Sequence, residues 1–135
     1  MSSLVIFDTS IFIDHLRANR HRQRIEAVSG LIRTSSVVLA ELWRGATRPA
    51  ERAFLRVLQK NHPILTPTER QWLESGGLLG KIRSDRGLAP QQLRDLHFDV
   101  LIALTTRAHG ARLITSNGSD FELIRTYREF ALEIW

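Results

Sequence analysis

Four acidic side chains stand where a soluble protein has little reason to put them. Asp8 ends the apolar run Leu4-Val5-Ile6-Phe7 and is followed by Thr9 and Ser10. Glu41 sits inside Val37-Val38-Leu39-Ala40-Glu41-Leu42-Trp43, and Asp99 interrupts Phe98-Asp99-Val100-Leu101-Ile102-Ala103-Leu104. Asp120 closes the loop Thr115-Ser116-Asn117-Gly118-Ser119. Burying a carboxylate without a partner is costly, so each acid needs a reason.

Local reasons exist for each one. Asp8 and Asp120 could cap helices. Glu41 could pair with Arg44 one turn on, and Asp99 with a distant buried arginine, although Asp95 one turn earlier repels it. All four would have to hold together, whereas one shared cation explains them at once. Two carboxylates about 5 Å apart repel by roughly 3 kcal/mol at an effective dielectric of 20. Hard cations such as Mg²⁺ or Mn²⁺ take oxygen donors and need neither histidine nor cysteine. The five histidines show no metal-ligand spacing, and there is no cysteine. A thiolate site, a cysteine nucleophile and a disulfide framework are therefore excluded, and a reducing cytoplasm is the default expectation.

The elements that must position these acids follow from apolar periodicity. Strands are expected at Ser3–Phe7, Leu31–Thr34, Pro63–Leu65, Ala111–Thr115 and Ala131–Ile134. Helical spacing covers Ser10–Leu16, and a second helix is expected through Ile25 and Val28 to Gly30, after the basic stretch Arg17 to Arg24. A helix capped by Ser35 or Ser36 runs to about Gly45, and another spans Ala50–Lys60. Thr66-Pro67-Thr68-Glu69 reads as a helix start with Thr66 as the cap. Gly76, Gly77 and Gly80 weaken that helix or let a neighbour approach closely. Gly87 to Pro90 reads as a loop, Asp95–His109 as a helix, and a last helix starts at Ser119 or Asp120 and reaches about Glu129. Strands alternating with helices predict one α/β domain over residues 1–135, a mostly parallel sheet flanked by helices. Ligands in such sheets sit beyond the carboxyl ends of the strands, at the switch point.

The chain of 135 residues carries a formal net charge of +5. Lys60 and Lys81 are its lysines, so 17 of the 19 basic residues are arginine, the residue whose planar fork grips phosphate. A polyanionic partner fits that balance, and so does a GC-rich genome. No apolar run approaches the roughly 20 residues needed to span a bilayer.

Asp8-Thr9-Ser10, Ser36-Val37-Val38-Leu39-Ala40-Glu41-Leu42, Asp99-Val100-Leu101-Ile102-Ala103 and Thr115 to Phe121, in this order and spacing, resemble a PIN domain. In particular they resemble the toxin ribonucleases of bacterial VapBC toxin–antitoxin pairs. The resemblance spans essentially the whole chain. It implies a central five-stranded parallel sheet between helices, and Mg²⁺ or Mn²⁺ bound by Asp8, Glu41 and Asp99. It places a fourth acidic position on Asp120, with the neutral Asn117 at an alternative family position three residues earlier. Thr9 or Ser10, and Thr115, match positions that support the carboxylates by hydrogen bonds. The function implied is metal-dependent endoribonuclease activity on RNA, with a cognate antitoxin protein and a homodimer as partners. Arg20, Arg22 and Arg44 are candidates for holding the RNA backbone. Two rivals share the fold: a domain that binds RNA or a partner without cleaving it, and a nuclease directed at DNA. A haloacid-dehalogenase-type phosphatase would want a second acid where Ser10 stands, and a phospho-receiver domain wants paired acids after its first strand.

Overall fold

The computed structural model describes residues 4–135; Ser3, expected in the first strand, lies outside the described residues. Strand β1 (Leu4–Phe7) is the shortest explanation of the architecture. Val5, Ile6 and Phe7 are almost wholly buried, so apolar side chains face both sides and helices must cover both faces. Its neighbours are β2 (Leu31–Ser35) and β4 (Arg112–Thr115), both parallel to it, with Val5 opposite Ile32 on one side and Arg112 on the other. The short β3 (Ile64–Leu65) and β5 (Ala131–Ile134) form the edges, and the order is β3-β2-β1-β4-β5, parallel throughout. The expected five-stranded parallel sheet is present; the chain builds β2 and β3 outward on one side of β1, then crosses back to build β4 and β5 on the other. The switch point therefore lies between the carboxyl ends of β1 and β4.

Seven helices flank the sheet among the described residues: α1 (Thr9–Ala18), α2 (Arg22–Glu26), α3 (Ser36–Gly45), α4 (Pro49–Asn61), α5 (Glu69–Arg86), α6 (Pro90–Ala108) and α7 (Gly118–Arg125). Helix α3 starts as expected, with the Ser35 hydroxyl accepting from the amides of Val37 and Val38. Helix α1 runs beyond Leu16 into the basic stretch. It stops at Asn19, which takes a left-handed backbone (φ 49°) that asparagine tolerates better than most residues. The helix expected from Ile25 to Gly30 is instead the five-residue α2, which starts earlier and ends at Glu26.

Three helix boundaries correct the expectations. Helix α5 is capped by Thr68, not Thr66: the Thr68 hydroxyl accepts from the Gln71 amide at 3.2 Å, and the Gln71 side chain accepts from the Thr68 amide at 3.1 Å. This reciprocal pair decides between two overlapping start signals. The glycines of α5 do not interrupt it, and they do not mediate close approach, since a Cβ at Gly76, Gly77 or Gly80 would meet nothing within 4 Å. Burial of Leu78, Leu79 and Ile82 offsets their cost, about 1 kcal/mol per glycine relative to alanine. Helix α6 starts at Pro90, five residues before Asp95. The Gln92 side chain accepts from the Ala89 amide at 2.9 Å and proline fills the first turn. Helix α7 starts at Gly118 with Asn117 at its cap position and ends at Arg125. Asp120 lies in the first turn, so it does not cap the helix.

Candidate active site

At the switch point the chain direction and the side chains converge. Asp8 is the last residue before α1 and is 3% exposed. Its amide donates to the Ile114 carbonyl, which locks the end of β1 to β4. Its Oδ2 accepts from the Ser10 hydroxyl and the Thr115 hydroxyl, both at 2.8 Å, and more weakly from the Ser10 amide at 3.4 Å. Asp8 is thus a helix cap, as one local reading held, and a cleft residue as well. The Ser116 amide donates to the Ser10 hydroxyl and the Asn117 amide to the Thr115 hydroxyl. These bonds tie the loop after β4 to the start of α1.

Glu41, on α3, accepts from the Thr9 hydroxyl at 2.8 Å. Asp120 accepts from the Asn117 side-chain amide at 3.3 Å. Each of these three acids therefore has one oxygen engaged by a neighbour. Asp99, on α6, has no hydrogen-bond donor and no arginine partner among the described residues. Burial pushes its carboxyl up to about 8, with the charges of Asp8, Glu41, Asp120 and Asp95 adding to the effect. Burial also raises Glu41, and Asp8 adds to this, while the Thr9 hydrogen bond and Arg44 work against it. The suggested Glu41–Arg44 ion pair is not formed: Arg44 stands 5.9 Å over the ring of Phe98.

Asp8, Glu41, Asp99, Asp120, Thr9, Ser10, Asn117 and Arg44 all line one open cleft, with Thr115 directly beneath Asp8. Arg20 and Arg22 do not line it. Arg22 pairs with Glu26 at 3.2 Å and borders a separate depression around residues 19–24. His97 turns to α5, bonding the Ser75 hydroxyl and packing against Trp72. Sequence reasoning missed Gln91, Arg94 and Phe98, which line the same cleft. The signal was present: counting back from Asp99, residues 98, 95, 94 and 91 share one helical face.

Among the described residues no three acids or imidazoles are gathered tightly enough to hold a cation as they stand. The donor chemistry nevertheless fits Mg²⁺ or Mn²⁺. The donors are all oxygens, they share one cleft, and Asp99 forms no ion pair among the described residues.

A parallel five-stranded sheet in this order brings acids from the end of β1 and from α3, α6 and α7 to line one cleft. The chain belongs to the PIN domain family, whose model matches residues 5–126. Similar solved structures include the crystal structure of VapBC2 from Rickettsia felis bound to a DNA fragment from its promoter. That likeness has 22% identity and a TM-score of 0.73, covering 98% of this chain and 98% of that one. DNA-bound VapBC from Salmonella typhimurium matches at 21% identity and TM-score 0.73, covering 100% of this chain and 99% of that one. VapBC-5 from Mycobacterium tuberculosis matches at 20% and 0.61, covering 98% and 99%. Comparison with curated proteins gives no match.

Proposed function

We propose that this chain is a Mg²⁺- or Mn²⁺-dependent endoribonuclease and the toxin of a VapBC-type toxin–antitoxin pair. The observation that carries the reading is Asp99, a partly buried carboxyl without a hydrogen-bond donor or ion-pair partner among the described residues, sharing one cleft with Asp8, Glu41 and Asp120. A domain that only binds RNA has no use for that accumulation of like charge. Asp8 and Asp99 would hold the cation, with Glu41 and Asp120 binding directly or through water. A bound cation lowers the pKa of a water and offsets charge on the transition state.

The chain's own groups do the rest. Ser10 and Thr115 hold one oxygen of Asp8 so that the other faces the cleft. Thr9 holds Glu41 and Asn117 holds Asp120. Glu41, whose proton affinity burial raises, orients the attacking water and accepts its proton. The water oxygen bonds to phosphorus while the opposite ester P–O bond breaks, and the leaving oxygen departs as an alcohol by taking a proton from solvent. Arg44 stands at the cleft to hold the RNA backbone.

The toxin role rests on the similarity to VapBC structures, which also supports an antitoxin partner; the homodimer rests on the family resemblance alone. Among the described residues no helix is long and apolar enough to cross a membrane, and a cytoplasmic site of action accompanies the reading. Purified protein should cleave single-stranded RNA in Mg²⁺ or Mn²⁺, and EDTA should stop it. Equal cleavage in EDTA overturns the metal requirement, and preferred cleavage of DNA moves the substrate. Expression without an antitoxin should slow bacterial growth, and Asp99→Asn should relieve it. Co-purification with the neighbouring gene product and the mass in solution test the two assemblies.

A further inference from the structure

Helix α6 brings more than Asp99 to the cleft. Gln91, Arg94, Asp95, Phe98 and Asp99 all line it, and their spacing places them on one face. That face extends over about 12 Å of helix axis, with Asp99 at the inner end and Gln91 at the outer. The Arg94 guanidinium is held by the Gln91 side-chain oxygen at 2.8 Å, and Gln91 in turn donates to Asp95 at 3.0 Å. Arg94 therefore stands oriented although it is exposed. Phe98 is partly buried at the cleft, with the Arg44 guanidinium 5.9 Å from its ring centre. Neither arginine forms an ion pair among the described residues within 4 Å. A cleft containing five carboxylates repels a polyanion, and Arg44 and Arg94 are the cationic side chains that line it.

We propose that this face of α6 is the strand-holding wall of the site, specific for single-stranded RNA. Arg94, positioned by Gln91, binds a phosphate flanking the scissile one. Phe98 offers its ring to an unpaired base, and Arg44 braces that ring. A planar fork suits phosphate oxygens. Aromatic stacking tolerates any base but needs one free of a duplex. The inference rests on the nuclease reading for its substrate, but binding measurements test it separately.

Binding of a fluorescent single-stranded RNA and of its duplex is measured in Mg²⁺ in the cleavage-deficient Asp8→Asn background, as a function of salt. Arg94→Ala should reduce the slope of log affinity against log salt by about 0.7, the value of one phosphate contact on a single strand. Arg94→Lys should restore the slope but only part of the affinity. Phe98→Leu should weaken single-strand binding by about 5- to 100-fold without changing the slope, and Phe98→Tyr, which keeps the ring, should bind like Phe98. In the otherwise wild-type enzyme, Arg94→Ala should raise KM and leave kcat within about twofold. An unchanged salt slope for Arg94→Ala overturns the phosphate contact. Equal losses for duplex and single strand in Phe98→Leu, or loss in Phe98→Tyr as well, overturn the stacking role. If the wild type binds RNA as described but never cleaves it, the nuclease reading fails and the wall stands. If it cleaves and these variants match it, the wall fails and the nuclease reading stands.

Discussion

The two sides of the cleft hold their carboxylates in opposite ways. On the strand side, Asp8 is 3% exposed and its Oδ2 receives two hydroxyls and an amide. On the helix side, Asp99 receives none, and burial together with four neighbouring acids raises its proton affinity. A carboxylate that caps a helix and ends a strand is part of the framework. One projecting from the middle of an apolar helix is there at the framework's expense. Stability should therefore respond differently to the two, although the proposed catalysis would need both.

The largest expected effect treats the two sides alike. Asp8→Asn and Asp99→Asn should each lower kcat/KM on RNA by about 100- to 1,000-fold or more, in line with removing one preorganised electrostatic group. Full activity in either variant would remove that residue from the site. Next comes the support on the strand side. Thr115→Val deletes a hydroxyl that orients Asp8 and should cost about 10- to 100-fold, the usual scale for groups that orient a metal ligand. Kinetics indistinguishable from wild type would mean that Ser10 alone suffices.

The smaller, thermodynamic effects carry opposite signs. In EDTA, Asp8→Ala strands the hydroxyls that Asp8 accepts and should destabilise by about 1–3 kcal/mol. Asp99→Asn should stabilise. Its carboxyl titrates near 3.8 when unfolded and near 8 when folded. Between these values the folded chain holds a proton that the unfolded chain has released, so wild-type stability falls as pH rises. The slope is at most about 1.4 kcal/mol per pH unit and vanishes above about pH 8. The gain from Asp99→Asn should be near zero at pH 4 and reach about 1–3 kcal/mol at pH 8, after allowing for the water that reaches a partly exposed group. Denaturant melts across that range test this, and a mutant less stable than wild type at pH 8 would make Asp99 structural. Saturating Mn²⁺ should erase much of the difference by stabilising the wild type, by about 2.7 kcal/mol at a hundred times its dissociation constant. The smallest effect belongs outside the cleft. Arg22→Ala should leave cleavage within about twofold, and a tenfold loss would bring the start of α2 back into the proposed RNA path.

The strand side was the easier to read from sequence, because Asp8 and Asp120 follow apolar strands and parallel sheets direct chemistry to strand ends. Glu41 and Asp99 were readable as acids in apolar helices. Gln91 and Arg94 were not, and Phe98, inside the expected helix, was read only as part of its apolar run. Starting α6 at Asp95 put Gln91 and Arg94 outside the helix, so their shared face with Asp99 could not be counted. Pro90 followed by Gln92 is the start signal that would have recovered them. Arg20 and Arg22 failed for a different reason: charge density in a sequence has no direction, and neither of these two lines the cleft. Helix α5 shows the same lesson locally, since Thr66 and Thr68 both look like caps and only Thr68 finds a reciprocal partner in Gln71.

The bond between Thr115 and Asp8 spans 107 positions of the chain. Contacts of such long range form late in folding, because the loop they close must be ordered first. On a ribosome adding about 5–20 residues per second, roughly 5–20 s pass between the synthesis of Asp8 and that of Thr115. Until then Asp8 lacks the hydroxyl and the β4 backbone that fix it, and Asp120 does not yet exist. The candidate site therefore cannot assemble on a nascent chain before β4 and α7 have been made.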